Sequence, residues 1–125
     1  MLSEMNASAS VAVKDLERAR KFYEETLGLT KTGEGDAEVM VFRSGATKVN
    51  VYRSQYAGTN QATALVWSVG DKIESIAKEL KAKGVVFEHY DIPQLKAEGD
   101  VYVNDRMKTA WFKDPDGNIL NLINV

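Results

Sequence analysis

The sequence predicts an α+β protein built from two β-α-β-β-β modules, and three observations carry that prediction. Two helices are marked by spacing and caps, the intervening segments alternate like strands, and the whole pattern occurs twice. Val13, Asp15 and Gly28 recur 56 residues later as Val69, Asp71 and Gly84, and Phe42 and Asn50 are answered by Phe112 and Asn121 at displacements of 70 and 71. The modules divide a single domain, residues 1–125, at about residues 1–56 and 57–125, with an insertion in the second around Tyr90 to Asp105.

The first strand runs from Ser8 to Val13. A helix follows at Asp15, a good N-cap, with Leu16, Ala19, Phe22, Tyr23, Thr26 and Leu27 along one stripe, and Gly28 stops it. Glu38–Arg43 and Lys48–Arg53 are strands joined at Ser44-Gly45, and Ala62–Val69 opens the second module. The second helix starts at Asp71, with Glu74 three positions on as a capping box, and buries Ile73, Ile76, Ala77 and Leu80 before Gly84. Val85–Glu88, Thr109–Lys113 and Ile119–Ile123 complete the strands, the last two joined by Asp114-Pro115-Asp116-Gly117.

One helix on a four-stranded sheet leaves the other sheet face bare, so the second copy is expected to cover it and enclose a trough. Alternation assigns the side chains. Ala9, Val11 and Val13 belong under the helix, with Ser8, Ser10 and Ala12 toward the trough. Thr63, Leu65, Trp67 and Val69 pack inward, while Ala62, Ala64, Val66 and Ser68 line the trough. Lys48, Asn50 and Tyr52 join them. A four-residue turn at Asp114 would pair Lys113 with Asn118 and Ala110 with Asn121, placing Phe112 and Asn121 on one face.

Composition narrows the function. With 16 Lys and Arg against 18 Asp and Glu and no run of like charge, nothing matches a nucleic-acid or anionic-lipid partner. The absence of cysteine removes disulfides, thiolate nucleophiles and thiolate metal sites, and His89 is the one imidazole. The first ten residues have neither a cationic start nor an apolar stretch of signal-peptide length, so a cytoplasmic protein is expected. Gly33-Glu34-Gly35 is too short for a dinucleotide fingerprint.

The run Val13–Leu29, VKDLERARKFYEETLGL, and the run WFKDPDGN from Trp111 to Asn118 with Ile119–Ile123 after it resemble the vicinal oxygen chelate superfamily. That family includes glyoxalase I, extradiol dioxygenases, fosfomycin-resistance enzymes and bleomycin-resistance binding proteins. In its metal-dependent members the ligands come from the first and last strands of each module. Carried over by motif spacing, those positions fall on Ser8, Asn50, Ala64 and Asn121, none of them His or carboxylate. The resemblance therefore implies the metal-free, drug-binding branch: a homodimer that holds a small molecule in its groove, with no cofactor.

The ligand-binding candidates are Ser8, Ser10, Met40, Asn50, Tyr52, Ala64, Tyr102, Met107, Phe112 and Asn121. Asn50 and Asn121 offer amide donors and acceptors to a ligand, or satisfy each other. Tyr52, Phe112 and Met40 supply apolar walls or core. The insertion either caps the trough, with Tyr102 or Met107 on the ligand, or is a surface excursion. His89 is a general base or a strand-end histidine, and Trp67 and Trp111 are core unless the last hairpin slips by one residue. The alternatives to a binding protein are a lyase, isomerase or dioxygenase-like enzyme with a shifted or intersubunit acidic site, acid–base chemistry through His89 or a tyrosine, and a groove that serves only as an interface. Module pairing within one chain or by exchange between subunits stays open.

Overall fold

The computed structural model describes all 125 residues, and the chain divides into two units, Met1–Thr59 and Asn60–Val125. The first contains β1 (Ala9–Val13), α1 (Leu16–Arg20) continued by a π-helical segment (Lys21–Thr26), β2 (Thr30–Gly35), β3 (Val39–Ser44) and β4 (Thr47–Arg53). The sheet order is β1-β4-β3-β2, with β1 parallel to β4 and the other pairs antiparallel.

The helix begins where the sequence requires: the Asp15 carboxylate accepts the Arg18 N–H at 3.1 Å, satisfying one of the orphan donors of the first turn. Its second half widens, so that the Leu27 N–H reaches the Phe22 carbonyl at 2.9 Å, five residues back. Ala19 and Tyr23 on this stripe are buried, as are Val11, Val13, Phe42, Val49 and Val51 on the sheet. The Tyr23 and Phe42 rings lie 6.1 Å apart, which identifies the helix side of this sheet. Each such aliphatic side chain withdrawn from water contributes about 1.5–3 kcal/mol.

β2 has no counterpart among the expected strands. Its sequence, TKTGEG, is polar with two glycines and lies at a sheet edge, where backbone pairing alone defines it. Gly35, at φ +100°, admits no side chain, because an added Cβ would lie 2.3 Å from the Val39 carbonyl oxygen.

The second unit contains β5 (Thr63–Ser68), a 3-10 turn (Gly70–Lys72), α2 (Ile73–Ala82), β6 (Phe87–Glu88), β7 (Lys96–Glu98), β8 (Val101–Asn104), β9 (Met107–Lys113) and β10 (Ile119–Ile123). Its order is β5-β10-β9-β8-β7, with β5 parallel to β10. β9 is shared along its length: Met107–Thr109 pairs with β8, and Trp111-Phe112 pairs with β6. The insertion thus forms a hairpin that extends the sheet.

α2 buries Ile73, Ala77 and Leu80, the helical spacing seen in the sequence. The expected capping box is absent. Asp71 falls in the 3-10 turn, no side chain caps the helix start, and the Glu74 carboxylate instead accepts a hydrogen bond from Lys108 Nζ on β9. Lys108 therefore marks the helix side of this sheet, shared by alternation with Ala110 and Phe112. No helix is long and apolar enough to cross a membrane.

Candidate functional site

In each sheet an asparagine stands on the strand next to the parallel edge, on the face turned from the helix. In the first unit Asn50 on β4 lies between Ser10 on β1 and Val41 on β3. In the second, Asn121 on β10 lies between Val66 on β5 and Trp111 on β9. The sequence repeat is thus a structural repeat of cross-strand rows, Ser10-Asn50-Val41 and Val66-Asn121-Trp111.

Two expected wall residues belong to the other face. Ser44 pairs with Thr47 around a two-residue turn, so Asn50 stands opposite Val41, and Met40, opposite Val51, joins the helix-side core. In the second hairpin the connection has five residues, not four: Lys113 pairs with Ile119, and Asn121 faces Trp111 instead of Ala110. The cause is Asp114. Its Oδ1 accepts the N–H groups of Asp116 and Asn118, both at 2.9 Å, and its Oδ2 accepts the Asn118 side-chain amide at 2.8 Å. These bonds wrap one extra residue into the loop. A shift of one residue exchanges the faces of a strand. Phe112 accordingly packs on Phe87 in the helix-side core, with ring centroids 5.6 Å apart, and Trp111 takes the place expected for it.

Of the remaining candidates, Ser10, Asn50 and Tyr52 share the first sheet's free face, and Asn50 Nδ2 approaches Ser10 Oγ at 3.4 Å. Ser8 precedes β1 and is exposed. Ala64 falls at a break in the β5–β10 ladder, where Thr63 pairs with Ile119 and Leu65 with Leu120, so it has no partner across the ladder and simple alternation does not carry to it. Met107 stands at the exposed start of β9, opposite Asn104.

Tyr102 is buried, and the backbone occupies its hydroxyl: it accepts the Tyr90 N–H at 2.5 Å and donates to the Tyr90 carbonyl at 2.9 Å. This clamp fixes Tyr90, whose ring meets Trp111 edge to face at 5.6 Å, while the Tyr102 ring meets the same indole at 5.7 Å. Burial, reinforced by the Glu88 carboxylate, raises the Tyr90 hydroxyl above the ordinary phenol value and keeps it a neutral donor. That hydroxyl is buried and has no hydrogen-bond partner. Tyr90, Trp111 and Thr109 were not among the sequence candidates. Counting back from Asn121 through a five-residue loop would have found the last two.

Asn121 is 6% exposed and held in one orientation. Its Nδ2 donates to Thr109 Oγ1 at 2.7 Å, to the Ala110 carbonyl at 2.9 Å and, more weakly, to the Leu122 carbonyl at 3.3 Å. The opposite amide flip would set oxygen against two carbonyl oxygens, so the network itself assigns the atoms. No donor in the chain reaches Oδ1.

His89 lies apart from Asn121 in the network: its Nε2 stands 3.0 Å from Asp100 Oδ1, and Lys81 Nζ holds Asp100 Oδ2 at 3.1 Å. The metal positions inferred from the resemblance provide one hydroxyl, two carboxamides and a methyl group. No three His, Asp or Glu side chains converge anywhere in the chain. Neutral amides and hydroxyls are weak ligands for divalent ions and a methyl group is none, so this donor set does not fit a cation.

The fold and these rows define a two-module protein with its candidate ligand groups on the helix-free faces. Residues 7–122 match the family described as the Glyoxalase/Bleomycin resistance protein/Dioxygenase superfamily, and the chain belongs to it. Among solved structures, it is similar to an integron cassette protein from the mobile metagenome of the Halifax Harbour sewage outfall, with TM-score 0.73, 22% identity and 98% and 99% of the two chains covered. A bleomycin-binding protein complexed with bleomycin matches with TM-score 0.70, 20% identity and 96% and 98% coverage. The fosfomycin resistance protein FosX from Mesorhizobium loti matches with TM-score 0.71, 14% identity and 98% and 92% coverage. At these identities the likeness is one of fold.

Proposed function

We propose that this chain is a small-molecule-binding member of the superfamily that works without a metal ion, as a homodimer in the cytoplasm that sequesters its ligand. The observation that carries the reading is the rows Ser10-Asn50-Val41 and Val66-Asn121-Trp111, one in each sheet, in which two of the four positions that the resemblance assigns to a cation hold amides beside apolar and aromatic groups. Such a mixture, an apolar body with a few fixed polar atoms, is what a small-molecule site needs. The bleomycin-bound relative supports the idea that this fold can serve as a container.

The test combines metal analysis of protein purified without chelators with thermal-shift screening against Ni, Zn, Fe and Mn salts and a broad panel of uncharged and charged aromatic compounds. Metal below stoichiometric amounts, no stabilisation by the salts and a rise in Tm with some organic compounds are expected. One equivalent of tightly held metal would overturn metal independence, and silence across the organic panel would overturn the binding role. Sedimentation velocity checks the dimer.

A further inference from the structure

The free face of the second sheet presents two polar atoms that no donor or acceptor of the chain engages, both on residues next to the same indole, and the Tyr90 hydroxyl among them is buried. Asn121 Oδ1 lies across the ladder from Trp111 with its amide nitrogen already saturated, and the Tyr90 hydroxyl belongs to the ring packed edge to face on Trp111. Buried polar atoms in folded proteins are almost always paired, so the buried, unpartnered Tyr90 hydroxyl beside the same aromatic surface as the unengaged Asn121 oxygen requires an explanation. Core packing does not provide one. Trp111 is only partly buried, on the opposite side of the strand from the Phe112 and Leu120 core.

We infer that this face recognises a flat, uncharged ring system carrying an N–H donor: the donor is received by Asn121 Oδ1, the ring lies against Trp111, and the Tyr90 hydroxyl donates to an acceptor on the same ligand. The inference rests on the small-molecule reading above and adds the polarity of the ligand to it. Asn121 offers only an acceptor, because its nitrogen is fixed on two backbone carbonyls and a threonine hydroxyl and cannot exchange places with the oxygen. An anionic group at this spot would meet that oxygen with no compensating donor and lose its hydration. A ring with its nitrogen methylated would leave Oδ1 unpaired and push a methyl group against it. Sites built around one hydrogen bond reject analogues lacking it far more strongly than apolar pockets reject a change of size. Tyr102, which clamps the backbone of residue 90, is a positioning residue here.

The experiment uses two matched pairs of probes, indole with 1-methylindole and quinolin-2(1H)-one with 1-methylquinolin-2-one. Affinities are read by NMR titration of the wild-type protein and its Tyr90→Phe variant, following the Asn121 side-chain amide and the Trp111 indole N–H. Each N–H parent is expected to bind about tenfold or more tightly than its N-methyl counterpart, the size of effect one lost hydrogen bond produces, and to shift the Asn121 amide signals. Tyr90→Phe is expected to weaken the quinolinone, which has an acceptor, and to leave indole unchanged. Equal affinity within both pairs, or binding that leaves the Asn121 signals unmoved, overturns the inference and leaves small-molecule binding standing. Failure of all four probes overturns it too, and the thermal-shift panel then decides separately whether the binding role falls with it. An unchanged quinolinone affinity in Tyr90→Phe removes Tyr90 from the site.

Discussion

Trp111 stands directly opposite Asn121 in the β9–β10 ladder, while its neighbour Phe112 stands opposite Leu120 on the other side of the sheet. Adjacent aromatic residues on one strand thus have separate roles. Phe112 is 1% exposed and packed against Phe87, whereas Trp111 meets two tyrosine rings on the helix-free face.

Truncating these neighbours should therefore have unequal consequences. Phe112→Ala removes a ring from the closed core and should cost about 3–5 kcal/mol. Trp111→Ala opens a partly exposed face and should cost clearly less, while abolishing the response to aromatic probes. Urea denaturation of both variants gives the comparison. A larger loss for Trp111→Ala would mean that the hairpin register is the four-residue alternative.

Asp114 sets that register, and its removal should be felt beyond the loop. Asp114→Ala strips the acceptors from two backbone N–H groups and from the buried Asn118 amide. Leaving buried donors unpaired costs about 1–3 kcal/mol apiece where water cannot replace the partner, so a total near 3 kcal/mol is expected. Because the loop holds Trp111 opposite Asn121, amide exchange should quicken along both strands, β9 and β10. Exchange confined to residues 114–118 would show that the strands hold their register unaided.

The double module, both helices and the buried stripes were legible because they rest on local chemistry: an N-cap at Asp15, helical spacing of Ile73, Ala77 and Leu80, and strict alternation along β1. Faces were legible only where no turn had to be counted. Ser10, Asn50 and Tyr52 fell on one side as expected, but Met40 and Phe112 did not, since each assignment depended on the length of a hairpin connection. β2 was missed because a polar edge strand carries no hydrophobic period. Tyr90 and Tyr102 were brought together by the insertion hairpin, whose pairing is non-local, and no spacing in the sequence specifies the hydroxyl-to-backbone clamp.

The repeat hides a difference between the helix starts. Asp15 and Asp71 occupy matching places, yet only Asp15 accepts a backbone N–H, and Asp71 lies in a 3-10 turn without a side-chain cap. Asp15→Ala should lower stability by about 1 kcal/mol, the usual value of a lost cap, and Asp71→Ala should leave it unchanged within error. Chemical denaturation of the pair measures the contrast, and equal losses would restore the symmetric reading of the sequence.

The acid limb of stability should report on Asp100. Burial by itself would raise its carboxyl, but the hydrogen bonds from Lys81 and His89 outweigh that effect and hold it below its ordinary value. A carboxylate with a lowered folded-state pKa stabilises the fold above its unfolded-state value, about 3.9, and loses that contribution as pH falls through the folded-state value. Wild type should therefore exceed Asp100→Asn in stability by a constant margin at pH 7 and pH 5, and the margin should shrink from about pH 4 downward. Urea midpoints at pH 7, 5, 4 and 3 test this. A margin that persists undiminished at pH 3 would mean that the ion pairs at Asp100 contribute nothing and that the variant is weakened by packing alone.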